Sequence, residues 1–248
     1  MRLLWRKLRW SLVHRGLLRT LKAVPAALNR GAARDKPHPF DQRYGTDTSG
    51  VIGGALLATG HPHDIYITAY AGIPPSRFES LLERWRSTLG AARIEDYTFI
   101  DLGCGKGRAV LLASRLPFRE VVGIELNPQL AETAQRNVER WKELGEARTS
   151  IRIVVGDATE PTLPGGPSLL FLYNAFAESL VHRLALNIGR SHSGPVDLIY
   201  QNANSTEAFT AQLGFRELWR GNVTLSTEDA TAKDVASPDD LTAFFRCD

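Results

Sequence analysis

Three carboxylates carry the chemistry that this sequence can be read for. Asp101, Glu125 and Asp157 close the apolar runs YTFID (97–101), VVGIE (121–125) and IRIVVGD (151–157). Asp101 is followed by Gly103, Cys104, Gly105, Lys106 and Gly107, and then by the aliphatic AVLLA. Glycines where a strand hands over to a helix permit positive φ and a close backbone approach to a ligand. A loop built for pyrophosphate gains nothing from an acid directly before its glycines, because carboxylate and phosphate repel. An ammonium or sulfonium group is attracted there instead.

Glu125 stands 24 residues beyond Asp101, where a carboxylate can receive two ribose hydroxyls. Asp157 can accept from an exocyclic adenine amine, and Ala158 leaves room for the ring. A cationic amino-acid end, a ribose and an adenine together describe S-adenosylmethionine. Each acid alone has a plainer role: a strand-end Asp can cap the next helix, and a Glu can be a solvated turn residue. Three acids at three successive strand ends point to one shared ligand.

The elements that must position them alternate. Strands are expected at 97–101, 121–126, 151–155, 168–173 and 196–201, and helices at 107–116, 128–144, 178–188 and 205–213. Pro128 suits a first helical turn. Two more strands are expected near 215–225 and 240–246. This alternation predicts an α/β, doubly wound, mostly parallel sheet of seven strands. Upstream, SRFESLLERWRSTL (76–89) places Phe78, Leu81, Leu82, Trp85 and Leu89 on one helical face, and Ser76 with Glu79 reads as a capping box.

DLGCGKGR (101–108), IELNP (124–128) and GDA (156–158) resemble, in order and spacing, motifs I, II and III of the seven-stranded class I methyltransferases. The likeness covers roughly residues 64–246. It implies a Rossmann-like fold ending in an antiparallel hairpin. YGTDTSG (44–50), the tyrosine-led YAGIPPSRF (70–78) and LYNAF (172–176) are similar to segments of an uncharacterised bacterial group within that class, which has YNPF at the last position. The resemblance implies S-adenosylmethionine as cofactor and S-adenosylhomocysteine as product. Its cofactor contacts fall on Tyr70, Asp101, Gly103, Cys104, Gly105, Glu125, Leu126, Asp157, Ala158 and Asn174. Asn174 and Phe176 fall beside the acceptor.

Ala175 replaces the family's proline, which argues against base methylation of nucleic acid and is compatible with an amine such as a protein lysine. Small molecules and lipids stay open as acceptors. Asp47, Tyr66, Tyr70, Tyr200 and Asn202 are candidates to take or steer a proton. His61 and His63 form an HxH pair that can ligate metal, but the sequence presents no third ligand, so no metal is expected. Cys104 reads as a small turn residue rather than a nucleophile.

The chain of 248 residues divides into a basic leader and linker (1–39) and one domain (40–248), itself a cap segment with the first helix (40–90) and a core (91–248). Residues 1–34 hold nine Lys/Arg and no acid, leaving 21 basic residues against all 27 acids in the rest. The body is therefore acidic, and these counts do not support a basic groove for nucleic acid. The two cysteines, Cys104 and Cys247, suggest a reducing compartment and no disulfide. The leader is too charged to span a bilayer. It reads as an N-terminal helical extension of two short amphipathic turns. These either pack on the body or a second subunit, contact an anionic membrane from a cytoplasmic protein, or serve as a mitochondrial transit peptide in a eukaryote.

Two other functions compete with methyl transfer. One is a non-catalytic regulatory or scaffold protein that keeps the cofactor site, supported by Ala175. The other is a nicotinamide-dependent oxidoreductase, opposed by the acid before the glycines and by the lack of a Tyr-x-x-x-Lys pair.

Overall fold

The computed structural model describes residues 37–247, apart from 174, 192, 204–205, 212–213 and 233–240. The leader, with the roles expected of it, lies outside the described residues. Among those described, no helix is long and apolar enough to cross a membrane.

The chain enters through a cap. A short helix α1 (Pro39–Tyr44) starts on Pro39 and stops at Gly45, whose φ of 65° closes the turn. The strands β1 (Val51–Ile52) and β2 (Tyr70–Ala71) pair antiparallel, with a 3-10 turn at Pro62–Tyr66 between them. Helix α2 (Pro75–Arg86) buries Phe78, Leu81, Leu82 and Trp85 as expected. Its start differs from expectation. Ser76 lies inside the first turn and makes no capping box; its N–H donates over 2.7 Å to Asp229, and its hydroxyl donates to the same carboxylate. His38, expected in the linker, is 2% exposed and sits 3.2 Å from Asp229. The packed body thus already includes His38.

The core follows the predicted alternation: β3 (Thr98–Leu102), α3 (Arg108–Ala113), β4 (Glu120–Glu125), α4 (Pro128–Glu143), β5 (Ile151–Val155), β6 (Ser168–Tyr173), α5 (Glu178–Ser191), β7 (Val196–Gln201), α6 (Glu207–Thr210), β8 (Phe215–Gly221), α7 (Thr227–Thr231) and β9 (Thr242–Cys247). The seven-stranded sheet has the order β5-β4-β3-β6-β7-β9-β8. Strands β5 to β7 are parallel, and β9 runs antiparallel to both β7 and β8. Helices α3 and α6 are shorter than expected, because the chain turns at Ser114 and Ala211 into short-range backbone bonds.

Helices on both faces explain why the central strands read as continuous apolar runs. Alternate residues feed two cores. Phe99, Phe171, Ile199 and Phe244 join Phe78, Trp85 and Trp141 on one face. Ile100, Leu102, Leu170, Leu198 and Phe245 join Leu184 and Phe209 on the other. The strand order reverses at β3, between β4 and β6, which is where such sheets bind ligands at their carboxyl ends.

Candidate functional site

At that reversal an open cleft of about 980 Å³, mouth included, lies against the ends of the central strands. Asp101, Gly103, Cys104, Gly105, Glu125, Leu126, Asp157, Ala158, Tyr70 and Phe176 all line it. Asn174 lies outside the described residues. The sheet register explains part of this gathering: Asp101 pairs with Gly123 on β4, and Glu125 with Val155 on β5. The acids therefore surface along one edge of the sheet.

Gly103, Gly105 and Gly107 have φ of 82°, 54° and 87°, so the loop needs residues without Cβ. Its amides are partly committed, since Gly103 and Cys104 both donate to Ile124 O at 2.9 Å. The bareness also serves protein packing, which the sequence reading did not include. A Cβ on Gly103 would lie 2.6 Å from Ala175 Cβ, and one on Gly105 would lie 2.3 Å from the Tyr70 ring. All three residues of Gly103-Cys104-Gly105 still border the cleft.

The three acids sit in different environments. Glu125 is braced by backbone: Gly105 N–H donates to Oε2 and Asn127 N–H to Oε1, each over 2.8 Å. Burial pushes its carboxyl up, and those N–H groups with that of Leu126 oppose the shift. Asp101 is 4% exposed and has no hydrogen-bond donor among the described residues. Burial, reinforced by the Glu125 charge, lifts its carboxyl to about 8. Asp157 is partly buried and lies below the usual carboxylate range. Burial works against this, but the Thr159 N–H and hydroxyl and the nearby His63 and His61 outweigh it.

The thiol of Cys104 is pushed far up by burial and by Asp101 and Glu125, so it stays protonated and is no nucleophile.

A polar scaffold holds the cap on the glycine loop. The buried Asp41 accepts from Thr46 Oγ1 and Thr48 Oγ1 at 2.6 Å, from Thr48 N–H at 2.8 Å, and from the Ser49 hydroxyl. Arg108 Nε donates to Thr48 Oγ1 over 2.7 Å. Asn137 joins both sides, donating to Asp47 O and Lys106 O at 2.9 Å. The YGTDTSG stretch is thus a strap over the loop.

Of the five candidates for proton transfer, only Tyr70 lines the cleft, and its hydroxyl donates to Thr48 O over 2.6 Å. Asp47 points to solvent and pairs with Lys106 at 2.7 Å. Tyr200 is buried against Phe209. Tyr66 and Asn202 lie off the cleft wall.

Sequence reading missed several contacts that shape the site. Asn127 caps α4 with its side chain and donates to Leu57 O over 3.0 Å, tying the cap down. Its place between Glu125 and Pro128 was the available signal. His63 lines the cleft, and the HxH pair does have a third neighbour in Asp157. Ile67 and Phe176 form a β-bridge, and Ala177 N–H donates to Tyr66 O over 2.9 Å, closing that side of the cleft. Those pairings join distant segments and leave no local trace.

Residues 99–185 match the family described as a methyltransferase domain. The release factor glutamine methyltransferase of Vibrio cholerae is 44% identical over 69 residues, 27% of this chain and 23% of that protein. The ribosomal protein L11 methyltransferase of Colwellia psychrerythraea is 38% identical over 47 residues, 19% of this chain and 16% of that protein. The chain therefore spans less than a quarter of these curated relatives. Among solved structures, geranyl diphosphate C-methyltransferase from Streptomyces coelicolor aligns with a TM-score of 0.49 at 17% identity, covering 86% of this chain and 93% of that one. The strand order, the acids at the strand ends and the methyltransferase-domain match over residues 99–185 agree with the resemblance to the class I methyltransferases.

Proposed function

We propose that the protein transfers the methyl group of S-adenosylmethionine to a nitrogen acceptor, with a protein amine favoured. Asp101 carries this reading: a buried acid with no protein donor among the described residues, directly before the glycine loop. Such a group is stable when a cation meets it.

S-adenosylmethionine, when bound, supplies a methyl group on a positively charged sulfur and leaves as S-adenosylhomocysteine. Asp101 ionises against the ammonium of its amino-acid end. Glu125, held by the N–H groups of Gly105 and Asn127, turns its remaining lone pairs to the ribose hydroxyls. Asp157 accepts from the adenine amine beside Ala158. Tyr70 and Leu126 border the same ligand. Phe176 flanks the acceptor. Ile67, Phe176 and Leu180 make that part of the cleft apolar, which excludes water and favours an uncharged amine over an ammonium. The accepting nitrogen gives its proton to solvent, since none of the five candidate side chains stands ready as a base. The two curated relatives are named for a release factor and a ribosomal protein, which supports a protein acceptor. Residues 1–24 provide the peripheral contact with an anionic membrane.

The test is incubation of the purified chain with methyl-labelled cofactor and lysate from cells lacking the protein. Label in a protein band supports the proposal. Label in RNA, in the organic phase or in small molecules moves the acceptor to that class. Cofactor binding without any transfer would favour the non-catalytic alternative.

A further inference from the structure

We propose that His61, His63 and Asp157 form a binding site for a divalent transition-metal ion of the zinc class at the edge of the cleft. One ring nitrogen of each histidine and one oxygen of Asp157 lie within 4.8 Å of one another. His63 Nδ1 is buried and stands 2.9 Å from Asp157 Oδ2, yet no hydrogen bond of acceptable direction reaches that nitrogen. Two electron-pair donors this close, and not aimed at each other, suit a cation that both can face. Ligands held at about 2.0–2.1 Å by one tetrahedral ion are about 3.3 Å apart. The 2.9 Å spacing and the 4.8 Å limit lie on either side of that value.

The remaining atoms of the three residues are already fixed, as the outer partners of a metal centre are. His61 Nδ1 accepts the N–H of His63 over 3.2 Å, which orients the ring and leaves Nε2 for an ion. Asp157 Oδ1 takes the N–H and hydroxyl of Thr159 at 2.9 and 2.8 Å, leaving Oδ2. The buried Asp64 accepts the N–H groups of Thr59 and Gly60 at 2.9 and 2.7 Å and so holds the histidine turn in shape.

Two imidazoles and one carboxylate match zinc and its neighbours, and not magnesium or calcium, which prefer oxygen donors. Side-chain exposures of 14% for His63 and 21% for Asp157 leave an entry path. A fourth position stays open to water or a ligand. The ion would link the cap to the end of β5, and it would compete with the proposed adenine contact for Asp157 Oδ2.

The experiment is a calorimetric titration of the full chain with zinc chloride, repeated with cobalt(II) to read the visible bands of a low-coordinate site. One equivalent of zinc is expected. Replacing a direct ligand should weaken it by more than the roughly 10–100-fold that outer partners contribute. The His61→Gln/His63→Gln variant should therefore lose more than about 100-fold in affinity and lose the cobalt bands. Absence of zinc binding at equimolar ion overturns the proposal, as does unchanged binding in the variant, which would move the ion to other histidines. Should the double variant not fold, the single His61→Gln, at a partly exposed position, decides by the same criteria.

Discussion

Glu125 and Asp101 occupy adjacent strands and share one cleft, but among the described residues only Glu125 is held by protein donors. Both of its oxygens accept backbone N–H groups at 2.8 Å, and its charge helps to lift Asp101 to about 8. One acid is locked into the loop, and the other is left in need of a partner.

The first prediction follows from Asp101. Its carboxyl is raised above the unfolded value near 3.8, so its contribution to stability is full below about pH 4 and is lost as pH rises through about 8. Asp101→Asn should therefore gain in melting temperature relative to the parent protein as pH goes from 5 to 9. A constant difference across that range would contradict the burial argument.

A cationic ligand reverses that penalty by favouring the ionised form. Cofactor affinity should rise with pH up to about 8, and binding near pH 6.5 should release a proton, measured by calorimetry in buffers of different ionisation heat. Asp101→Asn should abolish the release. It should also weaken binding by about 10-fold or more, since a hydrogen bond to a charged group is worth roughly 1.5–3 kcal/mol.

Gly105 is a test of packing against ligand approach. Gly105→Ala brings a Cβ to 2.3 Å from the Tyr70 ring at a φ of 54°, and should destabilise by about 1–3 kcal/mol in urea. In the Tyr70→Ala background the added cost should shrink to that of the positive φ, about 1 kcal/mol. Equal costs in both backgrounds would show that the ring is not the obstacle.

Asp41 ties the strap to the glycine loop. Asp41→Ala leaves the hydroxyls of Thr46, Thr48 and Ser49 without their shared acceptor and removes the carboxylate that stands 3.9 Å from the buried Arg108 guanidinium. A loss of about 3–5 kcal/mol is expected from a broken buried ionic cluster. Hydrogen exchange should locate the loosening in residues 44–50 and in the loop they cover.

Removal of residues 1–34 should shift the protein from a membrane pellet to the supernatant at low salt, with the cofactor affinity unchanged. Identical fractionation with and without them would end the membrane-contact reading.

Local patterning made much of this molecule legible. The apolar runs, the glycines after Asp101 and Pro128 at a helix start follow from backbone and burial rules that act within a few residues, and the helix-strand alternation then dictates a parallel sheet. The acids at the strand ends were visible for the same reason. What the acids touch was not. Asp157 meets His63, Gly105 meets Tyr70, and Asp41 gathers Thr46, Thr48 and Arg108 because the cap folds back across the sheet. Asp229 takes over the capping expected of Glu79 from 150 residues away. Sequence by itself determined the elements and the three carboxylates, since periodicity and strand-end position are properties of short segments. Only the tertiary structure decided which acid is braced, which is left unpaired and which stands beside two histidines. Those states depend on burial and on donors brought together from distant parts of the chain.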